Sequence, residues 1–536
     1  MVSAFVRQSE LADRVGGLVM AGFDGTSLSE TPADLIANLA GAIFFRRNIS
    51  TARQTWDLAS GLQKAAAAAD QLPLLIAADQ EGGSVSRLSS FGTTTPSAMA
   101  LGAADDEELT EEVYALIGSE LAAVGINLDF APVADINNNP RNPVIGTRAF
   151  GEDPTAVAKH VVAAVRGLQS RGVGATAKHF PGHGDTALDS HLDLPVVRHS
   201  AARLRAIEMV PFAAAVAAGV DAIMTAHIWF PLIDRPSVPA TMSAAILRDL
   251  LREELGYEGV ICTDCMRMEA VAARYPPAQA AWMALSAGAD LVLFSNGAEL
   301  VRQAIDGLRI ALSQGRLNPA DVARSLERVE ALRRRLGSGA RSPELGSVGS
   351  AEHGRVAYGA ALRSITWLRD PQRVLPVSVG LDAKVVVVQF AGSALTPVEG
   401  RVGPATPLAQ ALSRGKYEIS ELFLGLDPAP AEYASVIEAA RSATAIVAVT
   451  RRAAHNHGQA RAVADLAMLN KALIVIAARE PYDAAVVPPN AAVLACYGDD
   501  EQTMQAAADV LLGDARAAGR LPVRVPSASA WSAAAT

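Results

Sequence analysis

Three of the nine histidines in this 536-residue chain fall in T-A-K-H-F-P-G-H-G-D-T-A-L-D-S-H-L-D-L-P, residues 176–195, together with Lys178, Asp185 and Asp189. An apolar stretch at 173–180 ends in Lys178-His179, and Pro181, Gly182 and Gly184 then interrupt regular structure. The polar groups therefore fall on a loop at a strand's end. A loop of this kind holds either a metal or a proton-transfer pair. His179, His183, Asp185 and His191 offer nitrogen and oxygen ligands, but zinc sites usually use pairs such as H-x-x-x-H that share a helix face, and Pro181-Gly182 excludes that helix. The expectation is no metal and no cofactor. Asp189 and His191, two apart, suit the other reading: the carboxylate orients one ring nitrogen while the second faces substrate. A surface ion pair is the plainer alternative.

Further along, Asp264 closes the run G-V-I-C-T-D and precedes C-M-R-M-E-A-V. A carboxylate there serves as a nucleophile, a metal ligand or a helix N-cap. Its neighbours Cys262 and Cys265 point to opposite faces of a strand and read as buried thiols, not as a redox or zinc pair. The segment D-Q-E-G-G-S-V-S-R-L, residues 79–88, carries two glycines where the backbone turns sharply or approaches a ligand. Its Asp79 and Arg87 hold either a polar substrate or one another. Arg148 lies in the turn-rich block N-N-N-P-R-N-P-V-I-G-T-R-A-F-G-E-D-P, residues 137–154, as a binder or as loop scaffolding.

Eight short apolar runs precede residue 300, at 17–23, 41–45, 73–79, 127–135, 173–180, 221–227, 259–264 and 289–294. Amphipathic stretches at 106–124, 156–171, 201–218 and 243–255 lie between them and supply the crossover helices that parallel strands need. Eight such units close a (β/α)8 barrel of TIM type, an open doubly wound sheet being the alternative. In a barrel the chemistry sits at the C-terminal ends of the strands, here Asp79, Asp135, Lys178, His179, His227 and Asp264. After a helical stretch at 320–336, a Gly/Ser-rich segment reads as a linker. Five more apolar runs at 384–390, 417–425, 445–450, 472–478 and 491–497 suggest a smaller C-terminal α/β sandwich. The expected division is a barrel at 1–336, a linker at 337–354 and a sandwich at 355–536.

Lys and Arg total 47 against 56 Asp and Glu, a net charge of −9, which speaks against a nucleic-acid partner. Three cysteines make no disulfide framework, and no apolar run is long enough to span a membrane. The N-terminus lacks a basic segment followed by an apolar one. A soluble, cytoplasmic monomer or weak oligomer is expected.

Taken together, D-Q-E-G-G, N-P-V-I-G-T-R-A-F-G-E-D-P, K-H-F-P-G-H-G-D-T with D-S-H, and T-D before a short methionine-bearing helix resemble the bacterial β-N-acetylglucosaminidases of glycoside hydrolase family three. The resemblance covers both domains. It implies a retaining glycosidase acting on a carbohydrate, in which Asp264 attacks the anomeric carbon and His191, oriented by Asp189, replaces the usual second carboxylate as acid and base. It places Asp79, Arg87, Arg148, Lys178 and His179 on the non-reducing sugar. An acidic partner raises the proton affinity of an imidazole toward what a general acid needs near neutral pH, while Asp264 stays ionised.

Ser84 stands where relatives commonly carry Arg, and Cys265 where they carry a small or apolar residue. Arg267 lies one turn beyond Asp264 and either meets an acidic aglycone, such as the lactyl group of muramic acid, or points to solvent. His455 and His457 read as structural or surface residues. A β-glucosidase or β-xylosidase of the same family, a metal-dependent hydrolase and a silent sugar-binding protein are the competing readings. A neutral imidazole in place of a second carboxylate also admits phosphate as an acceptor, so some phosphorolysis is expected beside hydrolysis.

Overall fold

The computed structural model describes residues 8–190, 192–234, 238–337, 344–377, 383–390, 399, 407–415 and 417–533. Eight parallel strands close into a barrel in chain order. They are β1 (Val19–Ala21), β2 (Gly41–Phe44), β3 (Leu75–Ala78), β4 (Leu128–Asp129), β5 (Gly174–Phe180), β6 (Ala222–Thr225), β7 (Val260–Cys265) and β8 (Leu291–Phe294). Closure comes from β1 against β8, with Met20 opposite Leu293. Apart from the last two residues of β7, every strand residue is buried. Helices cover the outside of the barrel and side chains fill its inside, which is why these strands read as unbroken apolar runs.

Within the barrel, the run at 127–135 and the helix at 201–218 differ from the sequence expectation. The run at 127–135 is regular only over Leu128–Asp129, because Pro132 has no N–H to give a ladder. The chain nevertheless stays beside β5: Thr176 N donates to Ala131 O at 2.8 Å, Lys178 N to Pro132 O at 3.1 Å and Ala134 N to Lys178 O at 2.6 Å. That carries Asp135 to the barrel mouth. The helix expected at 201–218 is two, Ala201–Ala206 and Val210–Ala217, with Pro211 in the first turn of the second, where its missing donor costs nothing.

The second domain is a six-stranded sheet in the order β11-β10-β12-β13-β14-β9. Its strands are β9 (Thr366–Arg369), β10 (Lys384–Phe390), β11 (Glu418–Leu424), β12 (Ala445–Thr450), β13 (Ala472–Ala477) and β14 (Ala492–Ala495). Successive valines of β10 serve opposite layers: Val385 and Val387 join one apolar cluster, Val386 and Val388 the other. The unexpected strand is β9, antiparallel to β14 at the edge, whose four residues include an exposed Trp367.

Part of the linker-like segment is ordered. Ser350 caps a helix over Ala351–Ser364, and Gly349 N and His353 Nδ1 lie 2.9 and 2.8 Å from Glu120 Oε1 on a barrel helix. The two domains are packed together. Met99, Ala100 and Ala103 of the barrel share an apolar cluster with Tyr482, Tyr497, Val523 and Trp531, and Ser97 Oγ donates to Tyr497 O at 2.7 Å. Arg452, paired with Glu480 at 3.3 Å, donates to Pro143 O and Asn142 O at 3.3 and 3.4 Å. Beside them Gly146 has φ of +47°, which favours glycine, and a Cβ there would lie 2.3 Å from Glu480 Oε1, so a side chain would have to displace that carboxylate. No described helix is long and apolar enough to cross a membrane.

Candidate active site

The C-terminal ends of the barrel strands surround a cavity of ≈ 500 Å³, whose walls include Asp79, Arg87, Arg148, Lys178, His179, Asp264 and Arg267. At one end the charges are densely paired. Lys178 Nζ, buried at the end of β5, lies 2.9 Å from Asp79 Oδ1 and 2.6 Å from Glu81 Oε1. Arg148 grips Glu81 with two bonds of 2.8 Å, and Arg87 Nη2 lies 3.3 Å from Asp79 Oδ2. Burial opposes ionisation of Glu81, but Arg148 and Lys178 outweigh it and hold its carboxyl down at about 2. Asp79 is likewise lowered against burial by Lys178 and Arg87. Beneath them Asp129 is fully buried with Gln80 N on one oxygen at 2.9 Å, and burial pushes its carboxyl well above the ordinary range. Within this cluster the cations that line the cavity, Arg87, Arg148 and Lys178, outnumber its carboxylates, Asp79 and Glu81, by one.

Beside this cluster, Asp135 is fully buried. It accepts from His179 N at 3.1 Å, His179 Nδ1 at 2.8 Å and His183 N at 2.7 Å. Burial opposes its charge and His179 outweighs burial, so it stays below the usual range. The bond to Nδ1 fixes the His179 ring at the cavity wall. Glu81 was missed from sequence although it stands inside the quoted D-Q-E-G-G, and Asp135 was noted only as a strand end.

Asp264 is partly exposed at the end of β7, with its Oδ1 receiving Cys265 N at 2.6 Å. Cys262 is buried, but Cys265 is not: it stands in the cavity wall, where its Sγ receives Ser295 N at 3.3 Å. His227 is buried below this turn. Its Nε2–H donates to Cys265 O at 3.0 Å, and its Nδ1 lies 2.7 Å from Thr241 Oγ1. It braces the turn that bears Asp264 and does not line the cavity. Arg267 is exposed on the wall beyond Asp264, with Arg46 and Arg47 also at the cavity.

Asp189 is buried, and its carbonyl receives Leu192 N at 3.0 Å and Asp193 N at 3.3 Å. His191 lies outside the described residues. Among the described residues, no group of three His, Cys, Asp or Glu gathers to hold a metal; His179 turns to Asp135, and Asp185 bonds His199 at 2.8 Å. From the second domain the cavity takes Glu399, held by Arg479 at 3.1 Å. His455 instead packs against Trp531 with ring centroids 5.6 Å apart, and His457 starts the helix His457–Ala467. Nothing in the sequence around Glu399 signals that role, since it depends on how the domains meet.

A (β/α)8 barrel whose mouth closes one end of a polar cavity with paired charges and sets a strand-end carboxylate before it is built as a glycoside hydrolase. The profile of the "Glycosyl hydrolase family 3 N terminal domain" matches residues 10–332 and that of the C-terminal domain residues 296–534. The chain belongs to this family, in its β-hexosaminidase branch. It is 33% identical to beta-hexosaminidase A of Pseudoalteromonas piscicida over 93% of this chain and 92% of that one. It is 38% identical to a beta-hexosaminidase of Stenotrophomonas maltophilia over 54% of this chain and 87% of that one. A solved glycoside hydrolase family 3 beta-N-acetylglucosaminidase from Paenibacillus sp. str. FPU-7 superposes with a TM-score of 0.91 at 39% identity, covering 96% of this chain and 99% of that one.

Proposed function

We propose that the chain is a retaining, exo-acting β-N-acetylglucosaminidase that removes non-reducing-end N-acetylglucosamine from cell-wall (muropeptide) or chitin-type saccharides. The observation that carries this is Asp264 sharing one cavity with the closed cluster of Asp79, Arg87, Arg148 and Lys178. A sugar whose hydroxyls engage that cluster and His179 has its chain end there, and its anomeric carbon reaches Asp264. The Asp264 carboxylate attacks that carbon as the glycosidic bond breaks, and His191, oriented by Asp189, gives its proton to the departing oxygen. The neutral imidazole then takes a proton from water, which displaces Asp264. Inorganic phosphate competes with water in this second step, drawn by Lys178 and Arg148 at the same mouth and undeterred by a second carboxylate.

The saccharide runs onward past Asp264 toward Arg267, which takes an anionic group of the aglycone. Residues 1–336 carry the machinery, 337–354 connect, and 355–536 complete the wall. We place the enzyme in the cytoplasm as a monomer or weak oligomer, in keeping with its unpaired cysteines. Mass spectrometry after a slow fluorinated N-acetylglucosaminide tests the reading. The adduct is expected on the peptide containing Asp264 and absent in Asp264→Asn, which should lose turnover while keeping its fold; an adduct on another peptide overturns the assignment.

A further inference from the structure

His183 lines the same cavity but belongs to none of the roles above. It is buried, and its ring sits between two hydroxyls, with Nδ1 2.9 Å from Thr186 Oγ1 and Nε2 3.1 Å from Ser190 Oγ. We infer that His183 is a positioning residue for proton transfer: clamped between Thr186 and Ser190, its ring fixes the segment that bears Asp189 and leads directly into His191. This rests on the proposed role of His191.

The clamp is anchored at its base. His183 N donates to Asp135 at 2.7 Å, and Asn142 Nδ2 donates to the carbonyls of His183 and Gly184 at 2.8 and 2.9 Å. Gly184 presses on Ile136, whose carbonyl oxygen would lie 1.6 Å from a Cβ. The far side is anchored too. Ala270 N, on the helix Glu269–Ala272 that follows Asp264, donates to Ser190 O at 3.3 Å, and Asp193 pairs with Arg274 at 2.8 Å. Ser190 is therefore the point where the loop is tied both to the turn that follows β5, through His183, and to the helix that follows Asp264.

The ring itself is unsuited to donate the proton. Burial and the neighbouring His179 hold it down at about 4, so near neutral pH it has one donor and one acceptor nitrogen, matched to two hydroxyls. What it supplies is placement, and proton transfer demands placement within a few tenths of an ångström.

The test uses the full chain with His183→Phe, His183→Gln, Ser190→Ala and His191→Ala, on chitobiose and on 2,4-dinitrophenyl N-acetyl-β-glucosaminide. Dinitrophenolate leaves without protonation; a sugar does not. Phe preserves the ring packing but no hydrogen bond, so kcat/KM should fall ~10²-fold on chitobiose and less than ~5-fold on the aryl substrate. Gln, which keeps a donor and an acceptor, should recover most of that loss. Ser190→Ala should show a smaller split of the same sign, and adding it to His183→Phe should cost little more, since both act through one bond. Ser190→Ala and Gln carry the test if the Phe variant fails to fold. Equal losses on both substrates in the His183 and Ser190 variants, with His191→Ala showing the split, overturn the inference. No split in His191→Ala overturns the role of His191 and the inference with it.

Discussion

Replacing Glu81 by glutamine removes one negative charge from the densest part of the cavity and leaves the volume unchanged. That carboxylate receives Lys178 at 2.6 Å and Arg148 through two bonds of 2.8 Å. Its carboxyl is held at about 2 in place of the ordinary 4.5, which at 1.36 kcal/mol per pH unit corresponds to about 3 kcal/mol of folding stability at pH 7. At roughly 2 °C per kcal/mol, Glu81→Gln should melt about 6 °C below the parent. A carboxyl lowered by folding stabilises fully above its unfolded value of 4.5 and loses that contribution as pH falls through its folded value of about 2. The gap should therefore narrow to about 2 kcal/mol by pH 3.5. Leaving Lys178 and Arg148 under-neutralised should also reduce kcat/KM by roughly 10²-fold, as for other losses of about 3 kcal/mol. Thermal unfolding of parent and variant between pH 7 and pH 3.5, with activity measured in parallel, checks both. A gap of the same size at every pH, or none at pH 7, would refute the electrostatic reasoning.

Asp135→Asn weakens the bond that orients His179, at about 2 kcal/mol for a hydrogen bond to a charged partner. The expected result is a roughly 30-fold fall in kcat/KM carried mainly by KM, with an unchanged circular dichroism spectrum. Arg267→Ala should raise KM about fivefold for a muramic-acid aglycone at low salt, as for an exposed charge pair near 1 kcal/mol, and leave chitobiose unaffected. Equal effects on both would place Arg267 in solvent. Run across a phosphate series at fixed ionic strength, the reaction should yield N-acetylglucosamine 1-phosphate by phosphorus NMR; hydrolysis without that product would refute the argument from a neutral imidazole.

The barrel was legible because burial on both sides forces each strand into an unbroken apolar run, and the helices between them keep their period. Where local chemistry interrupts that pattern, as at Pro132 and Pro211, the sequence overstated an element's length. The edge strand β9 escaped because four residues with an exposed tryptophan carry too little pattern. Asp79, Arg87, Arg148, Lys178, His179 and Asp264 were legible as chemistry-bearing residues at loop or strand ends, and all of them meet at one cavity. Glu81 and Asp135 were harder to read because their work is done on other side chains, at distances that chain spacing does not reveal. Glu399 is 320 positions beyond Asp79, and only the packing of the second domain brings it there.

The seat that Arg452 and Glu480 make for the loop around Gly146 ties two equilibria together, since Arg148 stands at the end of that loop. If the docked second domain strengthens sugar binding by some factor, bound sugar must strengthen docking by the same factor. Occupancy of the cavity then acts as an adhesive between the two halves of the chain. In a chain nicked between its domains, ligand would hold the halves together, and each half would reassemble the site only as tightly as that shared factor allows.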